Sequence, residues 1–445
     1  MSQKNYWLKN AIITVFQNSS NLILGFLNFY MLIRLLTPND YGTWIIFVSI
    51  ITIVELSKNG LTQEATIKYL SGANRADKKK ITTATFVINV SISILLTILF
   101  LLLSPLAGQL WNSDVLPLML NLYTATFIIS GLQSEINCIE QANLQFKGTS
   151  LAPMVKQLLP FAYISYHYFF DLPADLTYLT VATILGVVAA TIVSLLFTYK
   201  YISFTKFVDF AWIKKIFNFG KYSFAVWVST MLAGSIDQMM LGSMLSKAAS
   251  GVFNVTMRIT NLTDIPINAM STIVFPQSSK RHEADGDASV KYLYERSVGV
   301  ILAVLMPCSL ALFILADFVM LVVAGETYQD SVPLLRIILI NSIFAPYVRQ
   351  SGIVLAASGR ARINFYLVTL SGVLVFLSNL VFIRYWGILG AAYASVFVNV
   401  VAFLITRSIL KKFFNINVLN PWIYAVAFYP EFIKKFLKRK SNEPS

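Results

Sequence analysis

Nine ionisable side chains fall inside long apolar stretches of the chain: Lys58, Lys156, Arg258, Arg336 and Arg349 against Glu55, Glu135, Asp237 and Asp264. A charge near mid-bilayer costs at least about 2.5–3.5 kcal/mol, so each must face protein, water or a ligand. The set is near neutral to slightly cationic, and an anionic ligand would restore or exceed the balance. Two chemistries are within its reach: guanidinium and ammonium groups neutralising an anion, and carboxylates exchanging a proton or cation. On the second predicted helix Glu55, Lys58, Asn59, Thr62 and Gln63 cluster toward one end, and the i to i+3 spacing lets Glu55 pair with Lys58. On the eighth, Asn254, Arg258 and Asn261 share a face with Asp264 and Asn268 beside it, and Pro266 is expected to kink the backbone. The purely structural account is mutual neutralisation, Glu55 with Lys58 and Arg258 with Asp264. Arg336 lies near a boundary and can snorkel, as Arg349 and Lys156 can at the opposite headgroups.

Amides mark a second feature. In the first predicted helix Asn10, Thr14, Gln17, Asn21, Gly25 and Asn28 recur at spacings of three and four, which places them on one face. Ser223, Trp227, Thr230, Gly234, Asp237 and Gln238 repeat the device in the seventh. Small and polar residues also pack helices together in membranes. A solvated cavity wall is the favoured reading, because so many amides need more partners than a tight interface supplies.

Other chemistries lack their residues. Cys138 and Cys308 lie in apolar stretches and His167 and His282 are far apart, which leaves no disulfide framework, metal cluster or haem site, and no cofactor is expected. No GxxxxGK[ST] occurs, so ATP-driven transport by this chain is not expected, nor is a catalytic set. The net charge of +14 suits basic membrane-facing loops better than nucleic acid.

The elements that must position these groups follow from composition. The chain has 445 residues, 56% apolar and only 13% charged, with mean hydropathy +0.67. A water-facing exterior needs about a quarter of a chain to be charged, so a soluble enzyme is excluded. Charge-free runs 81–113, 115–134, 176–199, 297–316, 363–383 and 385–406 alternate with less apolar segments 11–36, 43–69, 150–170, 217–245, 251–277 and 332–357. An all-α, polytopic membrane protein with twelve crossings is expected. The N-terminus runs into the first helix with no signal-peptide cleavage site expected. Basic residues gather in the loops at Lys4 and Lys9, Lys68 to Lys80, Lys147, Lys200 to Lys221, Lys280 to Arg296, Arg360 and Arg362, and beyond Arg407. The positive-inside rule puts both termini in the cytoplasm. Residues 413–445 read as a basic amphipathic tail at the interface, since their apolar run is too short to cross.

A shift of 209 residues superposes the halves: Gly42 falls on Gly251, Gly25 on Gly234, Glu55 on Asp264 and Asn59 on Asn268. Six crossings per half give both the same orientation, so a parallel pseudo-two-fold is expected. The expected lobes are residues 1–200 and 201–412, six helices each around a central cavity.

RLLTPNDYGTW (Arg34 to Trp44), DQMMLGSMLSKAASGVFNVTMRI (Asp237 to Ile259) and LAASGRARINF (Leu355 to Phe365) resemble bacterial polysaccharide-biosynthesis flippases. These are similar to O-antigen repeat-unit translocases of the multidrug, oligosaccharidyl-lipid and polysaccharide exporter superfamily. The resemblance implies a protein of the bacterial inner membrane that moves undecaprenyl-pyrophosphate-linked oligosaccharide from the cytoplasmic to the periplasmic leaflet, with a polysaccharide polymerase and a chain-length regulator as partners. It carries a cationic lining over to Lys58 and Arg258, which would neutralise the pyrophosphate. Asn21, Asn28, Asn261, Gln17 and Trp227 would then hold the sugars, while Glu55, Asp237 and Asp264 would couple to a proton or sodium ion. The alternatives are a cation-coupled drug or metabolite antiporter of the same superfamily and a polytopic sugar-polymer enzyme.

Overall fold

The computed structural model describes residues 23–143, 145–268, 270, 271, 274, 278, 287–358 and 360–441. Gln17 and Asn21 lie outside them, as does the side chain of Trp227. Among the described residues the secondary structure is helical throughout, with no strand. The helices are α1 (Ile23–Leu35), α2 (Pro38–Ser71), α3 (Arg75–Leu110), α4 (Val115–Tyr123), α5 (Ala125–Ala142), α6 (Lys147–Phe169), α7 (Leu176–Thr198), α8 (Phe210–Met244) and α9 (Lys247–Thr260). There follow α10 (Asp287–Ile314), α11 (Ala316–Ala324), α12 (Val332–Leu339), α13 (Asn341–Ala357), α14 (Ala361–Phe414) and α15 (Asn420–Ser441).

Their starts are written in side chains that accept the orphan amides of a first turn. Thr37 accepts from Asp40 N–H ahead of α2, with Pro38 at the first helical position, and Asn74 accepts from Asp77 N–H ahead of α3. Asp175 and Asp209 do the same for α7 and α8. The buried Glu140 carboxylate caps α6, taking the amide hydrogens of Gly148 and Thr149 at 2.8 and 2.6 Å and the Thr149 hydroxyl. Anionic oxygen at a helix N-terminus is where the dipole favours it.

By length and composition, 5 described helices can cross a membrane, or up to 7 if each bent pair is one crossing. The stretch 362–414 is itself two helices meeting at Gly387, whose φ of 58° and ψ of −138° suit glycine alone. The sequence places that boundary at Arg384; the break falls where the backbone can take a left-handed turn.

Each bent pair has a local cause. α4 and α5 diverge by 43°, and the Thr124 and Thr126 hydroxyls donate to the carbonyls of Asn121 and Tyr123 at 2.7 and 2.6 Å. α12 and α13 diverge by 45°, where the Ser342 hydroxyl donates to Leu339 O at 2.6 Å. Hydroxyls that back-bond to the preceding turn compete for its carbonyls and bend helices. The sequence reads each pair as one uninterrupted span.

Contacts divide the chain into two compact units, 1–251 and 252–445. The division falls beyond α8, where the sequence places the lobe boundary at 200, because α8 packs along α2. In the first unit Gly42 and Gly251, which the sequence equates by its 209-residue shift, meet face to face: a Cβ on Gly42 would collide with the Lys247 carbonyl, and one on Gly251 would lie 3.0 Å from Gly42 N.

The second unit has its core among α10, α13, α14 and α15, with Tyr294, Val298, Leu302, Tyr347, Leu410 and Phe414 buried. α15 covers part of α10. The Gly299 backbone lies against Pro421 and Tyr424, the Tyr429 hydroxyl donates to Ala303 O at 2.6 Å, and Ala425 is buried. Glu295, itself buried, accepts from Asn417 N–H and the Asn420 amide, each at 2.8 Å. The start of the segment that the sequence reads as an interfacial tail is therefore a packed element.

Candidate functional site

α2 brings Glu55, Lys58, Thr62 and Thr66 to one side, at spacings of three and four, and the last three are buried. Glu135 of α5 is fully buried opposite them, accepting from the Asn89 amide of α3 at 2.7 Å and the Thr66 hydroxyl at 3.2 Å. The same Asn89 nitrogen is 3.2 Å from the Thr62 hydroxyl. Lys58 is 2% exposed, and its ammonium donates to Phe127 O at 2.8 Å and to the Ser130 hydroxyl at 3.1 Å, just past the α4–α5 bend. The Phe127 carbonyl also accepts from Ser93 at 2.9 Å. A buried ammonium is costly unless its hydrogen-bonding protons are used, and here a carbonyl and a hydroxyl take two of them.

Glu55 does not take the partner its spacing offers. Its carboxylate lies 3.6 Å from Lys156 of α6 and accepts the Tyr123 hydroxyl at 3.0 Å, at the last residue of α4. Lys156 stands about 14 Å along α6 from Lys147. The Glu55 side chain is 14% exposed and that of Lys156 35%, so this pair is the more accessible part of the cluster.

The second unit repeats the theme. Asp264 pairs with Arg349 of α13 at 3.8 Å, where the sequence offers Arg258. Beside the pair, at the α12–α13 bend, is a cavity of about 170 Å³ whose polar lining includes Thr260, Asn261, Thr263, Asn341 and Asn399. Asn341 donates to the Ser395 hydroxyl at 2.9 Å, while its buried Oδ1 has no hydrogen-bond partner. Oxygen donors around a carboxylate suit a hard cation or a proton with its water.

Among the expected residues, Asn261 and Asp264 thus come together, and Arg258 is exposed on α9. Asn28 is half-buried on α1, with its Oδ1 lacking a partner, and Asp237 is half-buried on α8. Lys58 is turned into the first unit. Glu55 meets Lys156 at 3.6 Å and Asp264 meets Arg349 at 3.8 Å, in each case on another helix. Arg336 does not merely reach for a headgroup, since it holds Asp317 at 2.6 Å.

Lys156, Arg349, Tyr123 and Glu135 are the residues that sequence reasoning set aside or passed over. For the two cations the signal was present, a charge inside an apolar span with no partner on its own helix. Tyr123 carried none, because its role follows from a bend.

The profile of a family described as "Polysaccharide biosynthesis protein" matches residues 31–333. The teichuronic acid biosynthesis protein TuaB of Bacillus subtilis is 24% identical over 353 residues, 79% of this chain and 70% of that protein. The lipopolysaccharide biosynthesis protein WzxC of Escherichia coli is 20% identical over 354 residues, 77% of this chain and 68% of that one. Among solved structures, the lipid II flippase MurJ in an inward closed conformation has the same fold, with TM-score 0.80 and 12% identity over 98% of this chain and 94% of that chain.

Proposed function

The chain belongs to the polysaccharide biosynthesis protein family, and from that premise we propose that it is a flippase carrying undecaprenyl-pyrophosphate-linked oligosaccharide from the cytoplasmic to the periplasmic leaflet. It works by alternating access in a bacterial inner membrane, with twelve crossings and both termini cytoplasmic. The observation that carries the reading is charge held partly exposed along the helices: Lys156 with Glu55, Arg349 with Asp264, and Arg258 exposed on α9.

A pyrophosphate cannot enter hydrocarbon unaided, whereas a polyprenyl tail never needs to leave it. The protein therefore shelters the head group only. Arg258 neutralises the pyrophosphate, while the buried Lys58 holds the α4–α5 bend of the first unit in place. Asn21, Asn28, Asn261, Gln17 and Trp227 hydrogen-bond or stack on the sugars. Asp264, with the oxygens of Thr260, Asn341 and Asn399 around it, takes the proton or sodium ion that resets the cycle; Glu55 and Asp237 are the other carboxylates available for that step. A polymerase and a chain-length regulator receive the delivered units.

The test places the lipid-linked oligosaccharide on one leaflet of proteoliposomes and follows its exposure to a membrane-impermeant glycosidase. Wild type exposes the glycan, and Arg258→Ala slows exposure by about 10- to 100-fold, the loss of one charge-assisted contact. Equal rates for both proteins would remove the assignment of Arg258. No exposure of several glycans under proton or sodium gradients would move the reading to the cation antiporter.

A further inference from the structure

At the end of the first unit where its basic loops gather lies a cavity of about 320 Å³ that the flippase reading does not use. Its wall carries Arg75, Lys78, Lys79 and Lys200, with Asn143 and the hydroxyl-bearing Thr82, Tyr201 and Ser203, and it contains no carboxylate. Three of the cations come from one helical face, since 75, 78, 79 and 82 follow the i, i+3, i+4, i+7 pattern at the start of α3. The fourth sits in the short turn Tyr199–Tyr201 that ends α7. The neighbouring acids are occupied elsewhere: Asp77 is bound by the Asn74 cap, Glu140 caps α6, and Asp209 is paired with Lys80 at 3.2 Å. Lys80, next in sequence to Lys79, thus points out of the cavity.

Helix ends account for part of this clustering. α2, α5 and α7 all end here, and each C-terminus carries about half a negative charge. Three such ends offset roughly 1.5 positive charges, the N-terminus of α3 adds back about half of one, and a net of roughly three faces the cavity. Several cations with hydroxyl donors around a space of this size match a phosphate, whose oxygens accept from many donors at once, while Asn143, donating to Ile139 O at 2.7 Å, accepts from the Lys78 ammonium at 3.5 Å. The surroundings then favour a lipid source: Tyr201 on the wall is exposed, as are Tyr199 and Leu196 shortly before it in the chain, an apolar and aromatic surface of the kind acyl chains and headgroups meet.

We propose that this cavity is a binding site for a phosphate-bearing anion, occupied in the membrane by the headgroup of an anionic phospholipid. The site is independent of whatever the spans transport.

The test uses the full chain purified in detergent, followed by thermal unfolding and native mass spectrometry. Phosphatidylglycerol raises the wild-type Tm by about 3 °C and is retained in the spectrum, while phosphatidylcholine does neither. Lys78→Gln, Lys79→Gln and Lys200→Gln together remove most of the shift; Lys80→Gln, outside the cavity, keeps it. Sodium phosphate at millimolar concentration reproducing the shift supports the site and assigns it to the soluble anion. A triple variant with the wild-type lipid response, or Lys80→Gln losing as much as the triple variant, overturns the proposal. Should the triple variant not fold, Lys79→Gln alone must weaken half-saturation by phosphatidylglycerol several-fold, and an unchanged value has the same overturning force.

Discussion

Glu55 and Lys156 lie 3.6 Å apart on different helices, and the residue that the repeat equates with Glu55, Asp264, lies 3.8 Å from Arg349 on another helix of its own unit. In both cases the acid reaches a cation on another helix. The pairs therefore tie helices together and do not simply neutralise one.

A coupling between Glu55 and Lys156 should be measurable. Removing one partner leaves the other charge in a poor solvent, while removing both restores neutrality. Glu55→Gln and Lys156→Gln should each lower thermal stability in detergent, and the double variant should be less damaged than their sum. The expected coupling is about 1–2 kcal/mol, reduced from a fully buried pair because Lys156 is partly exposed. Additive effects would show that the contact holds nothing.

Gly387 tests backbone strain in isolation. A Cβ there meets nothing within 4 Å, so Gly387→Ala has a conformational cost only, about 1–3 kcal/mol from the left-handed φ. Gly25→Ala, also in open space but within helix α1, should be neutral or stabilising by up to about 1 kcal/mol. Comparing the two unfolding midpoints checks both.

Glu295 fastens the start of α15. Glu295→Ala leaves the Asn417 and Asn420 donors without their acceptor, with an expected loss of about 2–3 kcal/mol. Limited proteolysis between α14 and α15 should accelerate by roughly 10-fold or more, whereas Glu295→Gln, which can still accept, should be intermediate.

The Asp209 side chain gives a pH dependence outside the spans. The hydrogen bond from Lys80 holds its carboxyl below the usual range. A carboxyl lowered on folding contributes stability above its unfolded value and loses it as pH falls through the folded value. Wild type should therefore lose more stability than Lys80→Gln as pH drops below the ordinary carboxylate range near about 4, and high salt should narrow the difference.

The all-helical, polytopic class was legible because membrane insertion is decided by local composition, which the chain states openly. The polar cluster was legible only as an inventory. Spacing on one helix offered Glu55 to Lys58, whereas the observed partner comes from a different helix, an adjacency set by packing. Lys156 and Arg349 passed for headgroup anchors because depth along a helix depends on where it starts, and α6 starts at Lys147. The bends at Thr124 and Ile340 rest on one or two hydroxyls within apolar runs, which hydropathy does not register.

The packing of α15 on α10 bears on synthesis. About 100 residues separate the end of α10 from the start of α15, so at about 5–20 residues per second α10 waits roughly 5–20 s for its cover. During that interval the Glu295 carboxylate and the groove at Gly299 stand open beside the translocation machinery. The second unit is thus closed by a late-arriving segment, and ribosomal stalling before Asn417 would leave the interval open to insertion chaperones and membrane proteases.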